Sequence, residues 1–366
     1  MYPDLCNTIG SFLLQFVSSF QERLSFSIED FTGLLSIPIM IGCTRAIYRG
    51  LDDLVITGRT MDWLNDMKSN LWAFPRGIER DGAAGENSIR WVSKHGSVGV
   101  SGWDVGIADG MNEQGLFANL LYLPETQYPI APVSETCQPL SLSLWAQYVL
   151  DNFATVSEAV SAIEQESFYV VPVTSPDGKP GTIHLSISDP TGDSAIFEYV
   201  EGKLTIHHSP DYRVMTNSPT YSKQLALNEY WQSIGGTTML PGTNRAADRF
   251  VRASFYINVI PKTANAIEGV AAVFSVIRNA SVPMGISTPS QPNISSTIWR
   301  TVADHTNKRF FFESVRSPNV FWVNLDNLDF TEGSPVKKLT LTDGAIFAGD
   351  TSAQFQPTEP MRFLKA

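Results

Sequence analysis

Positive charge is scarce in this 366-residue chain: 26 Lys and Arg stand against 37 Asp and Glu, for a net charge of −11. The densest basic runs are pairs, Lys308-Arg309 and Lys337-Lys338. A surface that binds nucleic acid needs Lys and Arg clustered along the phosphates, so no nucleic-acid partner is expected. Cysteine is sparser still, at Cys6, Cys43 and Cys137. An odd, sparse set gives no disulfide framework, and no two of these sit at the spacing of a metal clip. The five histidines form no motif, and the adjacent His207 and His208 would face opposite sides of a strand. Each histidine is expected at the surface or the edge of the core, and neither a metal nor a cofactor is expected. Also missing are a Gly-x-Gly-x-x-Gly after a strand, a P-loop and a Gly-x-Ser-x-Gly elbow. Their absence removes the dinucleotide-binding, phosphate-cradling and α/β-hydrolase readings. The apolar stretches Ile9 to Phe20 and Phe31 to Ile41 fall short of the roughly 20 residues that span a bilayer, so no membrane span is expected.

What is present is the composition of a protein with a real core, 43% apolar and 17% charged residues. From Cys43 onward no linker, low-complexity tract or repeat interrupts the chain, so residues 43–366 are read as one domain. The first 42 residues differ. They carry one basic residue, Arg23, against Asp4, Glu22, Glu29 and Asp30. The second apolar stretch has the length of a signal-peptide core, and small Gly42 precedes Cys43, but Glu29-Asp30 stand where a secretory signal is positive. Residues 1–42 are therefore expected to be a removable leader. Its length favours a periplasmic or exported protein, with a cytoplasmic one as the alternative.

Thr44 to Tyr48 and Leu54 to Met61 are rich in β-branched residues and flank Arg49-Gly50-Leu51-Asp52-Asp53. That pattern predicts a hairpin with Cys43 at its head. Strand character continues over Arg90 to Val92, Ser97 to Gly102, Val105 to Asp109 and Leu116 to Leu123, the last two separated at Gly110-Met111-Asn112-Glu113. Leu140, Leu144, Trp145, Tyr148 and Val149 then fall on one helical face. Thr155-Val156-Ser157-Glu158 is a capping-box start for a second helix that turns Val156, Ala159, Val160 and Ile163 inward. Strands are predicted at 182–188, 194–199 and 203–207, helices at 246–257 and 264–277, and strands again at 296–304, 309–314 and 320–324. Segregated runs of this kind predict an α+β layered domain, not an alternating parallel-sheet fold.

A lone Cys at a strand head is by itself a small buried apolar residue. The hairpin, however, brings Arg59 and Asp62 of Gly58-Arg59-Thr60-Met61-Asp62-Trp63 back beside Cys43, where charge biases a thiol. Together with Cys43-Thr44-Arg45, these residues resemble the cysteine N-terminal-nucleophile hydrolases, in particular the choloylglycine hydrolase and penicillin V acylase family. Further motifs follow in order: Met111-Asn112-Glu113-Gln114-Gly115-Leu116, Asp189 to Ser194 with Glu198-Tyr199, Met215 to Tyr221, and Asp248 to Ala253. The likeness runs from Cys43 to about residue 330.

The resemblance implies a four-layer αββα sandwich and an acyl-enzyme route to amide hydrolysis. It implies Cys43 as nucleophile, with its own α-amine as base once it is the first residue. An α-amine titrates near about 7.7–8.0, so no histidine is required. Asp62 would hold the α-ammonium, and Arg59 and Arg249 would set the electrostatics of the thiol and of Asp62. Asn217, through its side chain, and Tyr122, through its main-chain N–H, would stabilise the oxyanion. Trp63 and Tyr122 would line the substrate pocket. Where the bile-salt hydrolases carry Asn this chain has Tyr122, and the span from Asn217 to Arg249 is short. Both features look more like the penicillin V acylases of Gram-negative bacteria, which implies a small-molecule amide with a hydrophobic acyl group, of the penicillin V or N-acyl homoserine lactone type. A conjugated bile salt is the alternative substrate. The family also implies a homo-oligomer, a tetramer. Outside this class stand a non-catalytic binding protein with Cys43 unprocessed, and a cysteine hydrolase with a His-activated thiol.

Overall fold

The predicted hairpin forms. In the computed structural model, which describes residues 42–130, 134, 136–285, 295–317, 319–341 and 344–366, strand Cys43–Arg49 pairs antiparallel with Val55–Trp63, placing Cys43 opposite Met61 and Arg45 opposite Arg59. Asp52 and Asp53 turn the corner with φ of 52° and 58°, a region that Asp tolerates better than most residues. The expected leader lies outside the described residues except for Gly42.

This hairpin sits inside a seven-stranded sheet. Its order is Val214–Met215, Cys43–Arg49, Val55–Trp63, Ser296–Asp304, Arg309–Ser314, Val320–Asn324 and Gly349–Asp350. A second sheet has nine strands, in the order Lys203–His208, Ser194–Val200, Ile183–Ser188, Phe117–Tyr122, Gly106–Asn112, Ser97–Gly102, Leu71–Phe74, Lys337–Leu339 and Gln356–Pro357. The helices are α1 (Trp145–Asn152), α2 (Val156–Ile163), α3 (Tyr221–Ile234), α4 (Ala246–Val259) and α5 (Ala266–Asn279). Helices α4 and α5 pack on the first sheet, and α1 and α2 on the second. The sheets face each other between these helical layers, so the architecture is the α+β four-layer αββα sandwich.

Both faces of the first sheet's central strands are therefore covered, and Val55–Trp63 is buried at every position. Period-two alternation divides its side chains. Thr57 and Arg59 reach the second sheet, at Ser188 Oγ (3.0 Å) and the Leu120 carbonyl (2.7 Å). Gly58 faces α5, where a Cβ would stand 2.5 Å from Val273 Cγ1; glycine lets that helix lie close. One hydrophobic cluster joins Ala46, Ile56, Val273 and Ile277 with Val98, Val100 and Phe117 of the second sheet. Another packs Leu116, Ala118 and Leu185 against Trp145, Val149 and Val160.

Thr155 caps α2 as predicted, its Oγ1 accepting from the Glu158 N–H, while Glu158 Oε2 reaches one residue further back than a capping box requires, to the Ala154 N–H. Asp189, in the turn of the central hairpin, adds a bond from the Val156 N–H (2.7 Å), placing negative charge at the positive end of α2. Three readings need correction. Leu140 lies in strand Gln138–Ser141, with α1 starting only at Trp145 after a short 3₁₀ turn. The break foreseen at Gly110–Glu113 is strand as far as Asn112, since Gly110 and Met111 pair with Ala118 and Phe117. And α3, absent from the predictions, buries only Tyr221 and Gln224, so it leaves no apolar stripe to read. Among the described residues no helix is long and apolar enough to cross a membrane.

Candidate active site

Cys43 is buried, and three elements converge on it. From the hairpin, the Arg59 guanidinium comes to 3.6 Å from Cys43 Sγ while donating to the Leu120 carbonyl. It lies over the Trp299 ring, 4.7 Å from the centroid, an attraction of ring quadrupole and cation. From α4, Arg249 donates to the Cys43 carbonyl (2.6 Å), Thr44 Oγ1 (2.6 Å) and Asn217 Oδ1 (2.7 Å). From the loop after Val214–Met215, Asn217 Oδ1 also accepts from the Cys43 N–H (2.7 Å).

Asp62 stands beside the junction of residues 42 and 43. A Cβ on Gly42 would be 3.2 Å from Asp62 Oδ2 and 2.7 Å from Arg249 Nη2, so the smallest residue fills that slot. Asp62 Oδ1 accepts from Thr297 Oγ1 (2.6 Å), whereas Oδ2 has no hydrogen-bond partner among the described residues and lies 3.7 Å from Arg249 Nη1. Thr297 reaches it from a strand in which Thr297 pairs with Asp62 but Trp299 with Met61. The extra residue between is a β-bulge of the kind that re-aims side chains at active sites.

Burial pushes the Cys43 thiol above its ordinary range; the guanidinium of Arg59, and then that of Arg249, pulls it down while the Asp62 carboxylate opposes them. Burial likewise raises the carboxyl of Asp62, against the pull of Arg249. A thiol so placed needs a base close at hand to become a nucleophile.

The oxyanion candidates are also brought together. Asn217 Nδ2 donates to the Tyr122 carbonyl (2.6 Å), and a side-chain amide carries a second N–H. Leu123 bonds Thr182 across the neighbouring strand, so by the alternation of an antiparallel ladder the N–H and C=O of Tyr122 both point away from that strand. They point toward the Cys43 side, where Asn217 meets the carbonyl. Trp63 and Tyr122 do line a cavity with Cys43, about 120 Å³ in volume, whose other walls include Met61, Trp103, Leu120 and Val173. Trp63 meets Trp103 and Tyr122 edge-on, with centroids 6.3 and 6.1 Å apart. A larger groove of about 670 Å³ also has Trp63 in its wall, and Cys43 does not line it.

Sequence reasoning missed Trp103 and Thr297. Trp103 and Asp104 both have positive φ (50° and 56°) in the turn between Ser97–Gly102 and Gly106–Asn112. Asp104 holds that turn by accepting from Ser101 Oγ, Trp72 Nε1 and Asn70 Nδ2. The flanking glycines of Gly102-Trp103-Asp104-Val105-Gly106 are the legible signal of a tight turn. Thr297 has none, since its register depends on a bulge.

The histidines also differ from expectation. His184 and His305 are fully buried. His184 Nε2 donates to the Thr216 carbonyl (2.9 Å), and Nδ1 lies 3.0 Å from Glu198 Oε1, so the pair supports the residue before Asn217. Burial works against the charge of Glu198, but the hydrogen bond with His184, the approach of His207 Nε2 (3.4 Å) and the Tyr221 N–H outweigh it and hold the carboxyl at about 2. A depressed folded-state pKa contributes stability above the ordinary pKa and loses it as pH falls. The thermal-melting advantage of the wild type over Glu198→Gln is therefore expected to be full above about pH 5 and to shrink progressively toward about pH 2. A gap independent of pH would show that Glu198 acts only through packing. No histidine contacts Cys43 in any described hydrogen bond, and no cluster of three or more His, Cys, Asp or Glu among the described residues is arranged to hold a metal ion.

Known proteins share the span that opens on Cys43 and the fold. The sequence model of the linear amide C–N hydrolases, choloylglycine hydrolase family, matches residues 43–338 and so begins on Cys43 itself. A penicillin V acylase of Pectobacterium atrosepticum is 49% identical over 356 residues, covering 90% of this chain and 94% of the relative. The structure of penicillin V acylase from Agrobacterium tumefaciens superposes with a TM-score of 0.82 at 55% identity, over 88% of this chain and all of the other. A conjugated bile acid hydrolase structure from Clostridium perfringens shares the fold at a TM-score of 0.69 and 21% identity, covering 83% of this chain and 98% of the other. The hairpin that carries the buried cysteine thus opens a span common to amide-cleaving enzymes, and the chain belongs to the choloylglycine hydrolase family of linear amide C–N hydrolases.

Proposed function

We propose that this enzyme cleaves N-acyl amides with a compact hydrophobic acyl group, penicillin V being the type substrate, and that Cys43 is its nucleophile. The cavity at Cys43 carries the reading. At about 120 Å³ with largely apolar walls, it compares with the roughly 150 Å³ cavity that accepts one benzene and falls well below the roughly 300–1,000 Å³ of pockets for drug-sized ligands. It suits a phenoxy ring or short alkyl chain better than a fused-ring steroid. The names of the relatives at 49% and 55% identity point the same way.

In the proposed cycle the leader, residues 1–42, is removed and the freed α-amine of Cys43 takes the thiol proton. The thiolate attacks the acyl carbonyl, the second N–H of Asn217 and the main-chain N–H of Tyr122 receive the oxyanion, and the amine leaves with the proton. Water then cleaves the thioester. Asp62 holds the α-ammonium; its Oδ2, beside residue 42 and without a hydrogen-bond partner among the described residues, supports that role. Arg59 and Arg249 keep the thiol and Asp62 in an electropositive field. The start of the family match on Cys43 supports the boundary. We place the mature protein in the periplasm or outside the cell, from the length of the leader, and propose a homotetramer from the family resemblance.

Initial rates on penicillin V, N-acyl homoserine lactones of increasing chain length and glycocholate test this reading. Penicillin V is expected to exceed glycocholate in kcat/KM by at least about tenfold, the worth of a few apolar contacts. The reverse order would make the enzyme a bile-salt hydrolase.

A further inference from the structure

Among the described residues Trp63 is the one that lines both the 120 Å³ cavity at Cys43 and the 670 Å³ groove. It is a partition, and its ring is held from one side. The indole Nε1 donates to Asp177 Oδ2 (2.8 Å), and Asn65 Nδ2 donates to the same oxygen (3.2 Å). The other carboxylate oxygen accepts from Ser175 Oγ (2.5 Å). Asp177 rides on a turn closed by the Ser175 N–H to the Lys179 carbonyl (2.9 Å) and the Lys179 N–H to Ser175 Oγ (3.1 Å). Ser175, Pro176 and Lys179 of that turn themselves wall the cavity. The turn is thus tied to the partition through a single side chain.

We propose that Asp177 is a specificity-determining positioning residue, which by fixing the Trp63 indole keeps the acyl cavity closed from the groove and so limits the length of acyl group accepted. The proposal rests on reading the cavity at Cys43 as the acyl site. An indole N–H can only donate, and within a largely apolar wall its loss of a partner is costly. Partial burial disfavours charge on Asp177, but the donors Ser175, Trp63 and Asn65 outweigh it and hold the carboxyl below the usual carboxylate range. The bond to Trp63 is accordingly a charge-assisted one, stronger than a neutral pair. Otherwise the ring is held by packing, 8% exposed and edge-on to Trp103 and Tyr122, with no second hydrogen bond to fix its tilt, because an indole has one N–H. Without Asp177 the ring can tilt toward the groove, joining the two spaces.

The experiment compares wild type, Asp177→Ala and Asp177→Asn on phenoxyacetyl, hexanoyl and dodecanoyl amides of one amine, and follows acrylamide quenching of the Trp63 emission against a Trp63→Phe background. For Asp177→Ala we expect KM for the phenoxyacetyl amide to rise about tenfold with kcat little changed, and the dodecanoyl-to-phenoxyacetyl ratio of kcat/KM to rise by at least the same factor. Asp177→Asn keeps an oxygen that accepts the indole N–H and should fall between, within about threefold of wild type. Trp63 should be more readily quenched in Asp177→Ala. Unchanged chain-length selectivity together with unchanged quenching overturns the proposal, as does an equal loss of kcat on every acyl length. If wild type cleaves none of the three amides, the acyl reading itself fails, and quenching decides alone whether Asp177 holds Trp63.

Discussion

A chain that keeps Gly42 ahead of Cys43 is expected to hydrolyse its amide substrate about 10²- to 10⁴-fold more slowly than the chain that starts at Cys43, the range a positioned general base contributes. The reason is the nitrogen. In an unbroken chain it belongs to a peptide bond, its lone pair is delocalised, and its N–H is spent on Asn217 Oδ1 at 2.7 Å. It cannot accept a proton from the thiol, and burial holds that thiol above its ordinary range. Once the bond to Gly42 is cut, the same nitrogen becomes an amine with an ordinary pKa of about 7.7–8.0, next to a carboxylate oxygen of Asp62 that has no hydrogen-bond partner among the described residues. Intact mass identifies which species is present, and initial rates on penicillin V compare them. Cys43→Ala starting at residue 43 should fall to background. If the Gly42-bearing chain, proven uncut by mass, matches the rate of the mature one, the α-amine is not the base.

How far the site was legible depended on whether its parts are local. Arg59, Asp62 and Trp63 follow Cys43 across one hairpin whose turn residues and β-branched flanks announce it, so their neighbourhood to Cys43 could be read directly. Asn217 and Arg249 are distant in sequence, and nothing in their own surroundings, a turn before Ser218-Pro219 and a helix face, distinguishes them. Only the ordered set of family motifs reached them, and the hydrogen bonds from Arg249 to Asn217 and to the Cys43 carbonyl now give the physical reason. Thr297, Trp103 and Asp177 escaped because a bulge, a left-handed turn and a side-chain-to-ring hydrogen bond place them, none of which has a periodic signature. The fold shows the same division. Period-two strands and capped helices were found, while α3, whose apolar residues form no buried stripe, and short strands such as Lys337–Leu339 and the edge strand Gln356–Pro357 were not.

Arg249→Met is expected to destabilise the protein by about 3–5 kcal/mol, the usual cost of breaking a buried ion pair from one side, and to abolish measurable turnover. The guanidinium is fully buried and makes hydrogen bonds to the Cys43 carbonyl, Thr44 Oγ1, Asn217 Oδ1 and the Asn244 carbonyl (3.0 Å). Methionine fills much of the volume but supplies no donor, so four acceptors and the buried carboxylate of Asp62 lose their partner together. Arg249→Lys should recover little, because one ammonium lacks the planar fork that reaches Cys43 and Asn217 at once. Stability and catalysis separate in the pair Arg249→Met with Asp62→Asn. Neutralising Asp62 removes the stranded charge, so the denaturation midpoint should move back toward wild type. Activity should not return, because neither Asn217 nor the α-ammonium is then held in place. Should the double variant regain turnover along with its midpoint, Arg249 would be a residue of the fold alone, and the electrostatics of Cys43 would have to come from Arg59.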